Sequence, residues 1–161
     1  MPVFQHKKFD DLSIEELHAL FALRSEVFVV EQDCVYQDID GKDPKALHII
    51  GKEGKEVVAY ARIFEKGIAY SDYASIGRIV TSPIYRRKKI GHALVDYCIA
   101  QCKNIYSDQN IKISAQAHLE RFYNKHGFIV SGKTYLEDGI PHIGMILTTD
   151  SDEQQKNKVR S

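Results

Sequence analysis

The segment from Ser75 to Ala115 constrains the fold more than any other. It runs as an apolar stretch (Ser75–Thr81), a break at Ser82-Pro83, a cationic cluster Arg86-Arg87-Lys88-Lys89, a helical stripe, then a second apolar run, Ile111–Ala115. The stripe is Ile90, Ala93, Leu94, Tyr97, Cys98 and Cys102, at helical spacing. A strand–helix–strand unit requires a parallel pair joined by a right-handed crossover.

The flanks add antiparallel elements. Ala46–Gly51 and Glu56–Phe64 read as strands around a Glu53-Gly54 turn, and Phe128–Leu136 and Ile140–Leu147 as strands joined at Glu137-Asp138-Gly139. Ser13-Ile14-Glu15-Glu16 has capping-box spacing, which predicts a helix from about 14 to 30 with a break near Ser25. His118–His126 suits a helix closed by Gly127. The expected order is β-α-β-β-β-α-β-α-β-β: an α/β fold with a mixed parallel and antiparallel sheet and helices on both faces. One domain is expected over 1–148, and a polar, mobile tail over 149–161.

Composition narrows the function classes. Lysine plus arginine and aspartate plus glutamate each number 22, so the formal net charge is zero. Broad attraction to nucleic acid or to an anionic membrane is not expected, and any anion site must be a local cluster. No stretch approaches the roughly 18 apolar residues of a spanning helix, and MPVFQHKKFDD lacks the core of a signal peptide. Cys34, Cys98 and Cys102 have no disulfide-framework spacing, which fits a reducing cytoplasm. Cys98 and Cys102, four apart, have metal-ligand spacing but lie on the apolar stripe, so they read as buried thiols and no metal is expected.

Two segments carry chemistry. A helix N-terminus holds phosphate readily; here Arg86, Arg87 and Lys88 add cationic donors and Gly91 allows close backbone approach. Neither GxxxxGK[ST] nor GxGxxG is present. GRIVTSPIYRRKKIGHALV resembles the acetyl-CoA-binding motif of GNAT acetyltransferases, [Q/R]-x-x-G-x-[G/A], with Arg86 first and Gly91 last; Lys89 replaces the central glycine. The resemblance implies that Ile79, Val80 and Thr81 bond the pantetheine arm through their backbone. It also implies that amides from Arg87 through Lys88, Lys89, Ile90 and Gly91 to His92 cradle the phosphates. Without it, RRKK reads rather as a solvated cationic turn or a targeting-like cluster.

Downstream, the helix ending Phe122-Tyr123-Asn124-Lys125-His126-Gly127-Phe128 resembles the same family's FYxxxGF element. By that resemblance Tyr123 sits by the cofactor sulfur and Gln116 contacts the cofactor; otherwise Tyr123 is an amphipathic core residue. Leu23–Gln32, Tyr36, Asp38–Asp43 and Tyr135–His142 resemble the ElaA-type branch, so the likeness covers about residues 10 to 147. It implies acetyl transfer from acetyl-CoA to a small-molecule or protein amine, in a monomer or homodimer. The attacking amine needs a base, for which Glu31, Asp38, Asp40 and His142 are candidates. His142 is nearest in intrinsic pKa, though it also reads as an ordinary strand histidine. Glu31 also reads as a surface carboxylate, and the Asp38–Asp43 cluster either recognises a cationic acceptor or is simply solvated. Two rival functions are a non-catalytic acyl-CoA-binding module, which Lys89 favours and Tyr123 disfavours, and a nucleotide or nucleic-acid binder built on RRKK.

Overall fold

A computed structural model describes residues 1–86 and 89–149. They divide into two units: Met1–Phe64 with Ile76–Cys98, and Glu65–Ser75 with the chain from Ile99 on.

In the first unit the strands are β1 (Val3–Lys8), β2 (Leu47–Glu53), β3 (Glu56–Phe64) and, from Ile76 on, β4 (Ala74–Thr81), in that spatial order. β1 and β2 are antiparallel from Val3↔Lys52 to Lys8↔Leu47, and β2 and β3 from Leu47↔Ile63 to Glu53↔Glu56. Every residue of β3 from Val58 to Phe64 is buried, as in a strand covered on both faces. Helix α1 (Ile14–Arg24) starts on the expected capping box: Ser13 Oγ accepts the Glu16 N–H and the Glu16 carboxylate accepts the Ser13 N–H. Its Leu20 and Leu23 pack with Val27, Ile50, Tyr60 and Val80.

The helix does not run unchanged to residue 30. From Ser25 to Glu31 it widens into a π-helical stretch, a geometry rare enough to mark sites under constraint. The widening falls where SEVFVVE brings four β-branched or aromatic residues in succession, which crowd an ordinary helical turn.

In the second unit β5 (Ile111–Gln116) runs parallel to the first residues of β4, with Ala74↔Ile111 and Ser75↔Lys112. The crossover between them is helix α2 (Ile90–Ile105). β5 is antiparallel to β8 (Ile140–Leu147), from Ile111↔Leu147 to Gln116↔His142. The sheet is therefore mixed, as expected.

Two boundaries differ from expectation. Instead of one strand over 128–136 there are two: β6 (Ile129–Val130) and β7 (Tyr135–Glu137), both on β8. Val130 faces Met145 and Tyr135 faces His142, so five steps on one side match three on the other. The surplus loops out at Gly132, whose φ of +93° suits glycine. The predicted helix 118–126 is a 3₁₀ turn (Ala117–Leu119) and a short helix α3 (Glu120–Asn124), ended as expected by Gly127 at φ +94°.

Cys98 and Cys102 are buried thiols, and burial pushes the Cys102 thiol up to about 12. Among the described residues no helix is long and apolar enough to cross a membrane. Of the expected tail only Thr149 is described; it is buried, and its N–H bonds Asn110 Oδ1 at 3.0 Å. Residues 150–161 lie outside the described residues.

Candidate active site

In the first unit the chain leaves β4 after Ile79, Val80 and Thr81, where the Ser82 N–H bonds the Val58 carbonyl at 2.7 Å. A single 3₁₀ turn, Pro83–Tyr85, leads to Arg86. Lys89 then adopts φ +60° and its carbonyl accepts the Ala93 N–H at 3.2 Å, the first bond of α2. Ile90, Gly91 and His92 form the opening turn, the end at which a helix offers its amides no carbonyl four residues back. Sixteen residues of aligned dipole lie behind it. The left-handed conformation of Lys89 is one that glycine adopts at no steric cost. Arg87 and Lys88 lie outside the described residues.

Arg86 and Glu31, singled out for different roles, are brought together: Arg86 Nη2 lies 2.6 Å from Glu31 Oε1. The pair is exposed, at 41% and 39%. A phosphate that engaged Arg86 would compete with this carboxylate.

Asp38 is buried, and Asp40, still exposed, is held by arginine, unlike the solvated loop that their sequence suggests. Arg24, fully buried, donates from Nε to Asp38 Oδ2 at 2.8 Å and from Nη1 to Asp43 Oδ1 at 2.7 Å. Arg62 bonds both carboxylate oxygens of Asp40 (2.9 and 2.6 Å) and also Asp43. Arg78 bonds Asp38 Oδ1 at 2.8 Å. Three arginines thus neutralise three aspartates. Although burial pushes the Asp40 carboxyl up, its bond from Arg62 outweighs this and holds it well below the usual carboxylate range. Carboxylates so occupied have little left for a cationic acceptor. His48, also fully buried, bonds the Tyr60 hydroxyl through Nδ1 and the Asp43 carbonyl through Nε2; burial lowers its pKa, which keeps it neutral.

The remaining sequence candidates lie in the second unit. Gln116, at the end of β5, faces His142 across the β5–β8 pair. His142 Nδ1 is 2.7 Å from the Ile140 carbonyl. A carbonyl only accepts, so Nδ1 carries the proton and neutral His142 keeps its lone pair on Nε2. That nitrogen lies 3.3 Å from Glu137 Oε2, an ion pair only when the imidazole is protonated, and the Tyr135 ring stacks on the imidazole at 6.3 Å. Tyr123, 6% exposed, meets Phe122 and Phe128 edge-on at 5.0 and 6.0 Å. These contacts fix its ring. Tyr135 and Glu137 escape a sequence reading, although the short turn Glu137-Asp138-Gly139 sets the register that brings Tyr135 onto His142.

The comparisons with known proteins agree with this architecture. Residues 9–149 match the acetyltransferase (GNAT) domain family. The chain belongs to the GNAT acetyltransferases. Within that class it is 43% identical to protein ElaA of Escherichia coli over 144 residues, 88% of this chain and 94% of ElaA. The crystal structure of Escherichia coli ElaA superposes with a TM-score of 0.85 at 42% identity, covering 91% of this chain and 99% of that one. An acyl-CoA N-acyltransferase from Pseudomonas aeruginosa gives 0.87 at 37% identity, covering 92% and 100%.

Proposed function

We propose that this protein transfers an acetyl group from acetyl-CoA to a primary amine by direct attack, with Tyr123 assisting departure of the CoA thiolate. The observation that carries the reading is the turn before α2. Lys89 holds a left-handed backbone directly before the N-terminus of a 16-residue helix, the geometry a phosphate cradle would need. The glycine-like backbone of Lys89 also weakens the case for a scaffold that has lost its cofactor. In this reading Ile79, Val80 and Thr81 present backbone groups to the pantetheine arm. Arg86, Arg87, Lys88 and the amides from Lys89 to His92 hold the pyrophosphate, and Gln116 contacts the cofactor.

The amine lone pair attacks the thioester carbon, forming the N–C bond. The proton shed by nitrogen passes to His142 Nε2, and the C–S bond breaks as the sulfur takes a hydrogen bond from the Tyr123 hydroxyl. Ordinary values near 10 for a phenol and 8.5 for a thiol make full proton transfer uphill by about 2 kcal/mol. Tyr123 therefore acts mainly by stabilising charge as it builds.

Tyr123→Phe keeps the ring among Phe122 and Phe128 and removes only the oxygen. The expected result, read as CoA release with a panel of amines, is a kcat loss of roughly 10- to 1000-fold with the KM for acetyl-CoA within a few-fold. Wild-type kcat under conditions where chemistry limits the rate would make Tyr123 a packing residue.

A further inference from the structure

The outward side chains of β5 form a strip with one group unaccounted for. Lys112, Ser114 and Gln116 alternate with the buried Ile111, Ile113 and Ala115. Gln116 and His142 mark the reacting end in the function proposed above. Ser114 Oγ bonds the Tyr135 hydroxyl, and Tyr135 stacks on His142. Lys112 lies at the far end, its ammonium over the rings of Tyr70 (5.0 Å) and Tyr73 (5.7 Å).

Three features set Lys112 apart. It is half-buried, yet among the described residues no carboxylate pairs with it. A half-buried ammonium held only by aromatic faces gains modestly from them and still favours a counter-anion. Its stem also leans toward the reacting end: Lys112 Cε lies 3.5 Å from where a Cβ on Gly144 would stand, and Gly144 faces Ser114. Finally, burial, with Tyr135 and Glu137 nearby, pushes the Tyr70 phenol up to about 12, so Tyr70 stays a neutral neighbour.

From the Ser114–Gly144 level to the Gln116–His142 level is two residues, about 7 Å. We infer that the acceptor is an amino acid with a side-chain amine, or a short peptide, whose carboxylate binds Lys112 Nζ while its amine, some 7 Å away, meets the acetyl group. This specificity rests on the acyl-transfer reading, but binding tests it separately. A polyamine would bring a second cation against Lys112 and is disfavoured.

L-lysine and cadaverine, which is lysine without its carboxylate, are the probes. Wild-type protein is expected to acetylate L-lysine at least tenfold more efficiently by kcat/KM, with the difference mainly in KM. In Lys112→Met, whose side chain fills the same stem space, the ratio falls toward one; Lys112→Arg restores it. Calorimetric titration of L-lysine into CoA-saturated protein reads binding without turnover. Equal rates on the two amines, or a preference that survives Lys112→Met, overturn the carboxylate site and leave acyl transfer standing. Binding of L-lysine that depends on Lys112, with neither amine acetylated, supports the site and counts against acyl transfer. No binding and no turnover overturn the site.

Discussion

A lysine at φ +60° gives up about 1–2 kcal/mol relative to an ordinary backbone conformation. Lys89→Gly removes that strain, while the more flexible unfolded chain takes back about 0.4–1 kcal/mol. The net expectation in urea denaturation is a gain of about 0.5–1 kcal/mol. Because the backbone already has the glycine-like shape, CoA affinity is expected to change less than tenfold. Lys89→Val, β-branched at the same φ, is expected to lose stability instead. A tenfold or larger gain in CoA affinity for Lys89→Gly would mean the lysine obstructs the cradle. At this scale the motif was legible from sequence, since Arg86 and Gly91 bracket the turn. The conformation of Lys89 was not, because propensity alone assigns lysine a negative φ. Nor was the pairing of Arg86 with Glu31, which lie 55 positions apart.

Helix α1 shows the same division for an element. Its start is written locally, in Ser13 and Glu16, three residues apart. The further role of Glu16 is tertiary: Lys7 from β1 and Lys52 from β2 both reach its carboxylate, at 3.0 and 2.9 Å. Burial alone would push the Glu16 carboxyl up, but the Ser13 N–H and the two lysines outweigh it and hold it at about 2. A carboxyl depressed on folding contributes stability that is fully present above its unfolded value near 4.3. That stability is lost as pH falls toward 2. Both lysines are partly exposed, so after solvent screening the contribution is about 1–2 kcal/mol. Glu16→Gln is therefore expected to be less stable than wild type by about that amount at pH 7 in urea denaturation, and equal to it near pH 2. A gap that stays constant from pH 7 to pH 2 would assign the loss to packing.

At the scale of the whole molecule, buried charge shapes the first unit. Arg24 on α1 holds Asp38 and Asp43 from the following loop, and Arg62 on β3 and Arg78 on β4 complete the neutralisation. Arg24→Met would take one of two arginine partners from each of two buried carboxylates, and the expected destabilisation in chemical denaturation is about 3 kcal/mol. Arg24→Lys is expected to recover less than half, because a point charge lacks the fork that serves both carboxylates. A loss below 1 kcal/mol would show that water reaches the cluster. Sequence by itself determined the capping box of α1, the hairpin of β2 and β3, and the parallel crossover around α2. Each of these is encoded by spacing within a few residues or by alternation along one element. Only the tertiary structure decided that Asp38 is buried rather than solvated, that β6 and β7 part at Gly132, and that Lys112 lies beneath Tyr70 and Tyr73. Those outcomes depend on which distant residues the strand register brings face to face, and local spacing carries no information about that.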